Sequence, residues 1–278
     1  LVVAPEAWNP RKKTDPRDAR ELCLRLERYQ AGNTHTFSVV RVPSVEQERR
    51  REAGRQRQRL LKERMRCERR GASLLLLEGH KVAGAWWKPK RWDKLSVDLE
   101  PGLSQRVGLW QQQALHYDGQ ERELTKALVA EGEACMASLP GGLGQLTWRL
   151  LCGEIMTWTR FNNRRQVGSY TGSCPSEDSS GESRRQGSIN RHGNPRVRTL
   201  LIEAVWRLVQ FEPGWRGFNK FPALLDKQAG SRKRRRQVVA AARLLAIDLW
   251  RLETGQTEAS KLGFNRSFTR RLVTNTPS

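Results

Sequence analysis

Residues 44–70 read SVEQERRREAGRQRQRLLKERMRCERR, and the fold class turns on how this stretch is read. Ser44 followed by Gln47 has the spacing of a capping box, in which a hydroxyl and a side-chain amide each satisfy a backbone N–H at a helix start. Arginine dominates the rest, with Leu60, Leu61 and Met65 as sparse apolar points. The spacing predicts one long polar helix, an arm of a helical hairpin. Downstream, Ala83 to Asp98 carries Trp86, Trp87, Pro89 and Trp92 and reads as the loop between arms. A second long helix is expected from Ser104 to Ser138, with Val107, Trp110, Leu124, Leu128 and Val129 along it. Its apolar spacing is irregular, which describes a helical stalk and not a regular coiled coil.

Working outward on the C-terminal side, Pro140 to Gly144 is a glycine-rich turn before a helix at Leu146–Ile155. A loop rich in Ser, Asp, Glu and Gly runs from Ser173 to Gly187, and Pro195 opens a strong helix over Val197–Val209. A basic cluster, Arg232 to Arg236, precedes a helix from Gln237 to Glu253, and the stretch after Gly255 is a polar tail. On the N-terminal side a helix is expected from Asp15 to Tyr29, with Ala19, Leu22, Cys23 and Leu26 on one face. Thr36 to Val42 alternates like a strand, which Pro43 ends. The expected organisation is therefore mainly α: 1–43 a small α/β piece, 44–139 a stalk, 140–255 a helical domain and 256–278 a tail.

Composition narrows the function. The 278 residues hold 51 Lys plus Arg against 29 Asp plus Glu, a net charge of +22, with a pI near 10.9 and a mean hydropathy of −0.71. Such a surplus attracts a polyanion, and arginine forks onto phosphate. Nucleic acid is the partner this balance predicts, through Arg49–Arg70 and Arg232–Arg236 above all. No apolar run approaches the ~20 residues a membrane helix needs, so no membrane partner is expected and a cytoplasmic location is. The five cysteines are scattered, with no CxxC pair. They read as reduced, mostly buried thiols and not as a zinc site or disulfide framework.

Three constellations could carry chemistry. Asp15 and Asp18 lie three apart, on one helix face, and suit Mg²⁺ or another divalent cation in phosphoryl transfer. Equally, Asp15 can be an N-cap, with Pro16 at the first helical position and Asp18 favouring the helix dipole. The loop Pro175-Ser176-Glu177-Asp178-Ser179-Ser180-Gly181 is followed by Arg184, Arg185, His192, Asn194, Arg196 and Arg198. A serine hydroxyl there could attack a DNA phosphate that the arginines hold, or the segment could be a solvated loop that only binds phosphate. Amides of the Leu139–Gly144 turn could seat a phosphate at a helix start, or simply turn the chain. The four histidines have no ligand spacing, with His192 a candidate DNA contact. Trp86-Trp87-Lys88-Pro89-Lys90-Arg91-Trp92 interleaves rings and cations as single-strand binders do.

Taken together, the motifs resemble one family, the bacterial insertion-sequence 110 family of DEDD transposases, and within it the 1111 subgroup. Lys13-Thr14-Asp15-Pro16-Arg17-Asp18-Ala19 is similar to the close of its RuvC-like (RNase H-like) domain. Phe161-Asn162-Asn163-Arg164-Arg165-Gln166, Tyr170-Thr171-Gly172, Cys174-Pro175-Ser176-Glu177, Ser179-Ser180-Gly181 and Gly193-Asn194-Pro195-Arg196 are similar to its C-terminal transposase domain. The resemblance implies that Asp15 and Asp18 are the last two of four metal-binding acids and that Ser180 forms a covalent phosphoserine with DNA. Arg164, Arg165, Arg184, Arg185, His192, Asn194, Arg196 and Arg198 are then the expected nucleic-acid contacts. It further implies a structured guide RNA as partner, assembly into a dimer or tetramer through the stalk, and a RuvC-like remnant at the N-terminus. The family's first two acids would fall before Leu1, so the expectation is a copy without its N-terminal start. A non-catalytic nucleic-acid-binding protein is the rival reading, and a RuvC-type nuclease the third.

Overall fold

The structure, a computed structural model, describes residues 15–33, 36–37, 42–133, 140–180 and 183–265. It divides into two compact units, residues 1–48 and 49–278. The fold is mainly helical, as the arginine-rich stretch predicts.

In the first unit, α1 (Asp15–Gln30) begins with two carboxylates in its first turn, where the positive end of the helix dipole favours them. Its expected apolar face is not buried: Leu22 and Leu26 are 52% and 46% exposed, and Cys23 is exposed as well. A stripe at helical spacing is buried only where another layer covers it. The strand expected from Thr36 does not start there. Thr36 turns back on the end of α1, with both its backbone N–H and its hydroxyl donating to the Asn33 carbonyl; residues 38–41 lie outside the described residues. The capping box at Ser44 forms: the Ser44 N–H donates to Gln47 Oε1 at 3.0 Å, and the Gln47 N–H to Ser44 Oγ at 3.2 Å. It starts α2 (Val45–Leu77).

In the second unit, α2 runs antiparallel to α4 (Pro101–Glu133). Arg57 pairs with Glu121 at 2.6 Å, Arg64 approaches Asp118 at 3.7 Å, the Arg70 guanidinium lies over Trp110, and Arg106 meets Glu78. The expected loop between the arms contains a helix, α3 (Pro89–Val97), with Pro89 at its start. Proline there loses no hydrogen bond, because the first N–H groups of a helix have no intrahelical partner. Trp86 and Trp87 are 3% and 1% exposed, inside a core with Cys67, Leu75, Leu103 and Val107. They are therefore core residues and not a stacking platform for nucleic acid. Gly71 permits this, since a Cβ there would lie 2.2 Å from the Trp86 ring.

The larger core belongs to the C-terminal half of this unit. It is enclosed by α5 (Gln145–Ile155), α6 (Arg164–Tyr170), α7 (Pro195–Phe211) and α9 (Ser231–Glu253), with the short α8 (Gly217–Lys220) beside them. Leu151, Leu201, Val205, Leu208, Leu245 and Leu249 are all buried in it. The chain after Gly255 is no polar tail as far as Phe264: Ala259, Leu262 and Phe264 are buried in the same core, and the Phe264 ring stacks on Trp215. Asp248, wholly buried, accepts from the Trp215 indole and from Arg216. The Arg216 pKa is raised above its ordinary value, chiefly by the hydrogen bond to Asp248.

Candidate nucleic-acid interface

The segment expected as a serine-bearing loop is an antiparallel hairpin. Strand β1 (Pro175–Ser180) pairs with β2 (Ser183–Ile189), in a register that sets Ser180 opposite Ser183, Ser179 opposite Arg184 and Asp178 opposite Arg185. Ser180 is thus the last residue of its strand, at the tip, while Gly181 and Glu182 lie outside the described residues. Small polar residues hide such a hairpin from a sequence reading, because Ser, Asp and Gly are poor strand formers. The register is fixed by the antiparallel ladder and not by an apolar face.

The base of the hairpin is built with more care than its tip. Ser176 Oγ donates to the Ser188 carbonyl at 2.9 Å, and the Asn190 N–H to the Cys174 carbonyl at 2.9 Å. Gly172, with φ +62°, lies against Gly193; a Cβ at Gly193 would sit 2.1 Å from the Gly172 nitrogen and 2.3 Å from the Tyr170 carbonyl oxygen. Two backbone segments meet there with no room for a side chain, which explains both glycines. The Arg198 guanidinium seals the contact by donating to the carbonyls of Thr171 at 3.0 Å and Gly172 at 3.4 Å.

Several motif residues turn out to be helix caps. Asn163 Oδ1 accepts from the N–H groups of Arg165 and Gln166, while Gln166 Oε1 accepts from the Asn162 N–H. This capping box starts α6 and leaves Arg164 and Arg165 exposed on its first turn. Asn194 Oδ1 accepts from the N–H groups of Arg196 and Val197 and so starts α7, and its amide donates to Glu154 Oε2 at 2.9 Å. Arg196 reaches across to α2, donating from Nε to Gln58 Oε1 at 2.9 Å. His192 stands exposed beside the hairpin base. The structure therefore gathers Asn194, Arg196 and Arg198 around the root of the hairpin, all three with side-chain bonds within the protein. Arg184 and Arg185 lie along β2, opposite Ser179 and Asp178. Of the described amides in the glycine-rich turn, two are taken within the protein: the Leu143 N–H donates to the Pro140 carbonyl at 3.0 Å. The Gly141 N–H donates to Glu212, a carboxylate 1% exposed, at 2.8 Å.

Two features were missed in the sequence. Glu154, 5% exposed near the end of α5, holds Arg55 at 3.2 Å and faces Arg51 at 3.9 Å and Arg196 at 3.8 Å. A lone acid in the run Leu150–Ile155 is the signal that could have found it. The second is that Arg232–Arg236 do not precede α9 but form its first turns. These cations sit at the positive end of the helix, and α9 begins on Gly230, which offers no side-chain cap. Among the described residues no carboxylate pairs with any of them; Arg234 instead lies over the Trp206 ring at 5.2 Å.

Asp15 and Asp18 lie outside this second unit, on the first turn of α1, exposed and half-buried. Among the described residues no cluster of three or more His, Cys, Asp or Glu side chains could hold a metal. Two carboxylates a helical turn apart still fit Mg²⁺, which is commonly held by one or two carboxylates plus waters and substrate phosphate. No helix among the described residues is long and apolar enough to cross a membrane.

Comparison with known proteins converges on the same region. Residues 134–220, which include the hairpin and both asparagine caps, match the family described as "Transposase IS116/IS110/IS902 family". Two proteins of Sinorhizobium fredii are similar over most of the chain. "Putative transposase y4rJ" is 28% identical over 272 residues, covering 87% of this chain and 66% of its own length. "Putative transposase y4qE" is 28% identical over 224 residues, 74% of this chain and 52% of its own length. The chain thus spans between half and two thirds of the curated relatives it matches.

Proposed function

We propose that this chain is the strand-cleaving and strand-joining part of an insertion-sequence transposase of the 110 family, 1111 subgroup, with Ser180 as nucleophile. The observation that carries the reading is the hairpin: Ser180 ends β1 at the tip, and Arg184 and Arg185 are brought opposite the same strand. It lies inside the stretch that matches the transposase family. In the reaction the Ser180 oxygen attacks a DNA phosphorus, its proton passes to solvent or a neighbouring base, and the bond to one bridging deoxyribose oxygen breaks. That oxygen leaves with a proton. A phosphoserine remains, and the reverse attack by a deoxyribose hydroxyl rejoins the strand without ATP. Serine is a weak nucleophile at neutral pH, so the arginines must offset charge on the five-coordinate phosphorus.

Asp15 and Asp18 would hold Mg²⁺ together with substrate phosphate, the ion supplying Lewis-acid charge neutralisation; they belong on this reading to a RuvC-like domain. A structured guide RNA, assembly into a dimer or tetramer and action at the nucleoid complete the proposal. The basic start of α9 supports a polyanionic partner, because no carboxylate among the described residues pairs with it.

The test is trapping of a covalent protein–DNA adduct by the protein expressed from its complete reading frame, with its RNA. Ser180→Ala is expected to remove the adduct and leave nucleic-acid binding within about twofold, a change of a few tenths of a kcal/mol. Ser179→Ala is expected to weaken it at most. An adduct that survives Ser180→Ala, or maps to Ser179, refutes the assignment. Binding without any adduct would favour a non-catalytic nucleic-acid-binding role.

A further inference from the structure

Among the described residues, three that are not glycine hold a positive φ: Ala85, Met156 and Arg191, at 60°, 68° and 59°. A side chain in this region crowds its own backbone, so such a residue persists only where its surroundings over-determine it. For the first two the local structure gives a use. The Ala85 N–H donates to Glu68 Oε1 at 2.7 Å, and Met156 closes α5, its N–H donating to the Cys152 carbonyl. Arg191 differs: it is exposed, and its side chain has no hydrogen bond or ion pair among the described residues. Its backbone is firmly held. The Asn190 N–H donates to the Cys174 carbonyl at 2.9 Å, the Arg191 N–H to the Gly172 carbonyl at 3.2 Å, and the Asn194 N–H to the Tyr170 carbonyl at 2.7 Å. Asn190 Oδ1 also accepts from the His192 N–H at 3.3 Å. Glycine would adopt this φ at no steric cost, so a long cation stands where the fold alone would take glycine. That cation is unspent. At the same hairpin root Arg196 is bonded to Gln58, and Arg198 to the carbonyls of Thr171 and Gly172.

We propose that Arg191 holds a backbone phosphate of the DNA that Ser180 cleaves, at the foot of the β1–β2 hairpin. The inference rests on the function proposed above, from which it takes the DNA substrate and the place of Ser180. The guanidinium is always charged and offers forked donors that match phosphate oxygens. Arg191 follows β2 (Ser183–Ile189), at the opposite end of the hairpin from the tip. At about 3.3 Å per strand residue, the length of β2 sets it roughly 20 Å from Ser180. The phosphate it holds is therefore several nucleotides from the one attacked, and the contact fixes how the DNA lies along the hairpin. Strain at Arg191 is the cost of putting a charged side chain on a backbone that three hydrogen bonds have already shaped.

The test titrates the 278-residue chain against a fluorescent DNA duplex, and against an RNA duplex of the same length, over a series of salt concentrations. Arg191→Asn removes the cation, and asparagine tolerates a positive φ better than most residues. It is expected to make the slope of log K against log salt shallower by about 0.9 on DNA, the value of one duplex phosphate. Arg191→Lys is expected to keep the slope, since an ammonium still meets a phosphate as a point charge. The thermal midpoints of Arg191→Asn and Arg191→Gly are expected to rise by roughly 2–4 °C as the strain is relieved. A shallower slope in Arg191→Asn with a midpoint that does not fall supports the proposal. An unchanged slope in Arg191→Asn overturns it, as does an Arg191→Lys variant that loses the slope too. A midpoint that falls in both strain-relieving variants would make Arg191 a structural residue and also overturns it. A slope that changes on RNA alone assigns the contact to RNA and overturns the DNA contact. Failure of the unsubstituted chain to bind either duplex at low salt refutes the nucleic-acid reading itself, whereas DNA binding that ignores Arg191→Asn refutes Arg191 alone.

Discussion

Glu154 shows how much one residue can organise. Its carboxylate is almost fully buried and faces Arg51, Arg55 and Arg196 from two different helices, while Asn194 donates to it from the start of α7. Removing one member of a buried charge group leaves the others uncompensated, at about 3–5 kcal/mol. Here the side chains of Arg51 and Arg55 keep about a fifth of their exposure, 20% and 21%, so partial hydration lowers the figure. Glu154→Gln keeps an acceptor for Asn194 but loses the charge, and the expected cost is roughly 2–3 kcal/mol, read by urea unfolding. An unchanged midpoint would show that the arginines do not depend on it. Glu100 acts differently, as the cap of α4: the Leu103 N–H donates to Glu100 Oε2 at 2.9 Å. The Glu100 pKa lies below 4.5, held down first by the backbone N–H groups of Gly102 and Leu103. A depressed acid favours the folded state above its unfolded pKa, and that contribution is lost as pH falls through the folded value. Stability should therefore drop as pH is lowered below 4.5, and Glu100→Gln should flatten that part of the profile. An identical pH profile in the variant would remove the assignment.

At the scale of elements, α9 carries the clearest conflict between stability and function. Arg232, Lys233, Arg234, Arg235 and Arg236 occupy its first turns, where the dipole disfavours cations, and pairs such as Arg232 and Arg236 repel across one turn. Neutralising a cation there should stabilise the helix by roughly 0.3–1 kcal/mol. Arg232→Gln combined with Lys233→Gln is thus expected to raise the thermal midpoint and at the same time weaken binding to nucleic acid. Opposite signs in the two assays are the signature of a functional patch, and a loss in both would mean a structural role. How far the elements can be read from sequence follows the same physics. The Ser44–Gln47 box and Pro195 are legible because capping is local chemistry, written in a few adjacent residues. Pro89 misleads, since one residue can either break a helix or begin it and only the tertiary context decides. The β1–β2 hairpin is hidden by weak strand formers without apolar alternation. Of the site, Asn194 and Arg196 are legible as a motif and the Asn194 cap is local, but the bonds of Asn194 to Glu154 and of Arg196 to Gln58, 40 and 138 residues away in the chain, are set by the tertiary fold.

Over the whole molecule, a net charge of +22 overstates what is free to meet phosphate. The arginine-rich α2 reads from sequence as the main polyanion surface, yet much of it is spent internally. Arg57 pairs with Glu121, Arg59 with Glu52, Arg64 approaches Glu68 and Asp118, and Arg66 pairs with Glu63. A phosphate contact by any of these must first displace a carboxylate, whereas the cations that open α9 have no such competitor among the described residues. Counterion release makes log K fall with log salt by about 0.9 for each duplex phosphate neutralised and about 0.7 for single strands. The expected outcome is unequal. Arg59→Gln with Arg66→Gln should leave the slope nearly unchanged, because both side chains, although exposed, are already paired with glutamates of their own helix. Arg232→Gln with Lys233→Gln should lower it by roughly 1.5–2 on duplex DNA. Titrations across a series of salt concentrations read both slopes directly. Equal losses would mean that the ion pairs along α2 open at no cost when nucleic acid binds, and that charge alone, wherever it lies, sets the affinity. A larger loss from the α2 pair would move the main interface from the start of α9 to the helical hairpin.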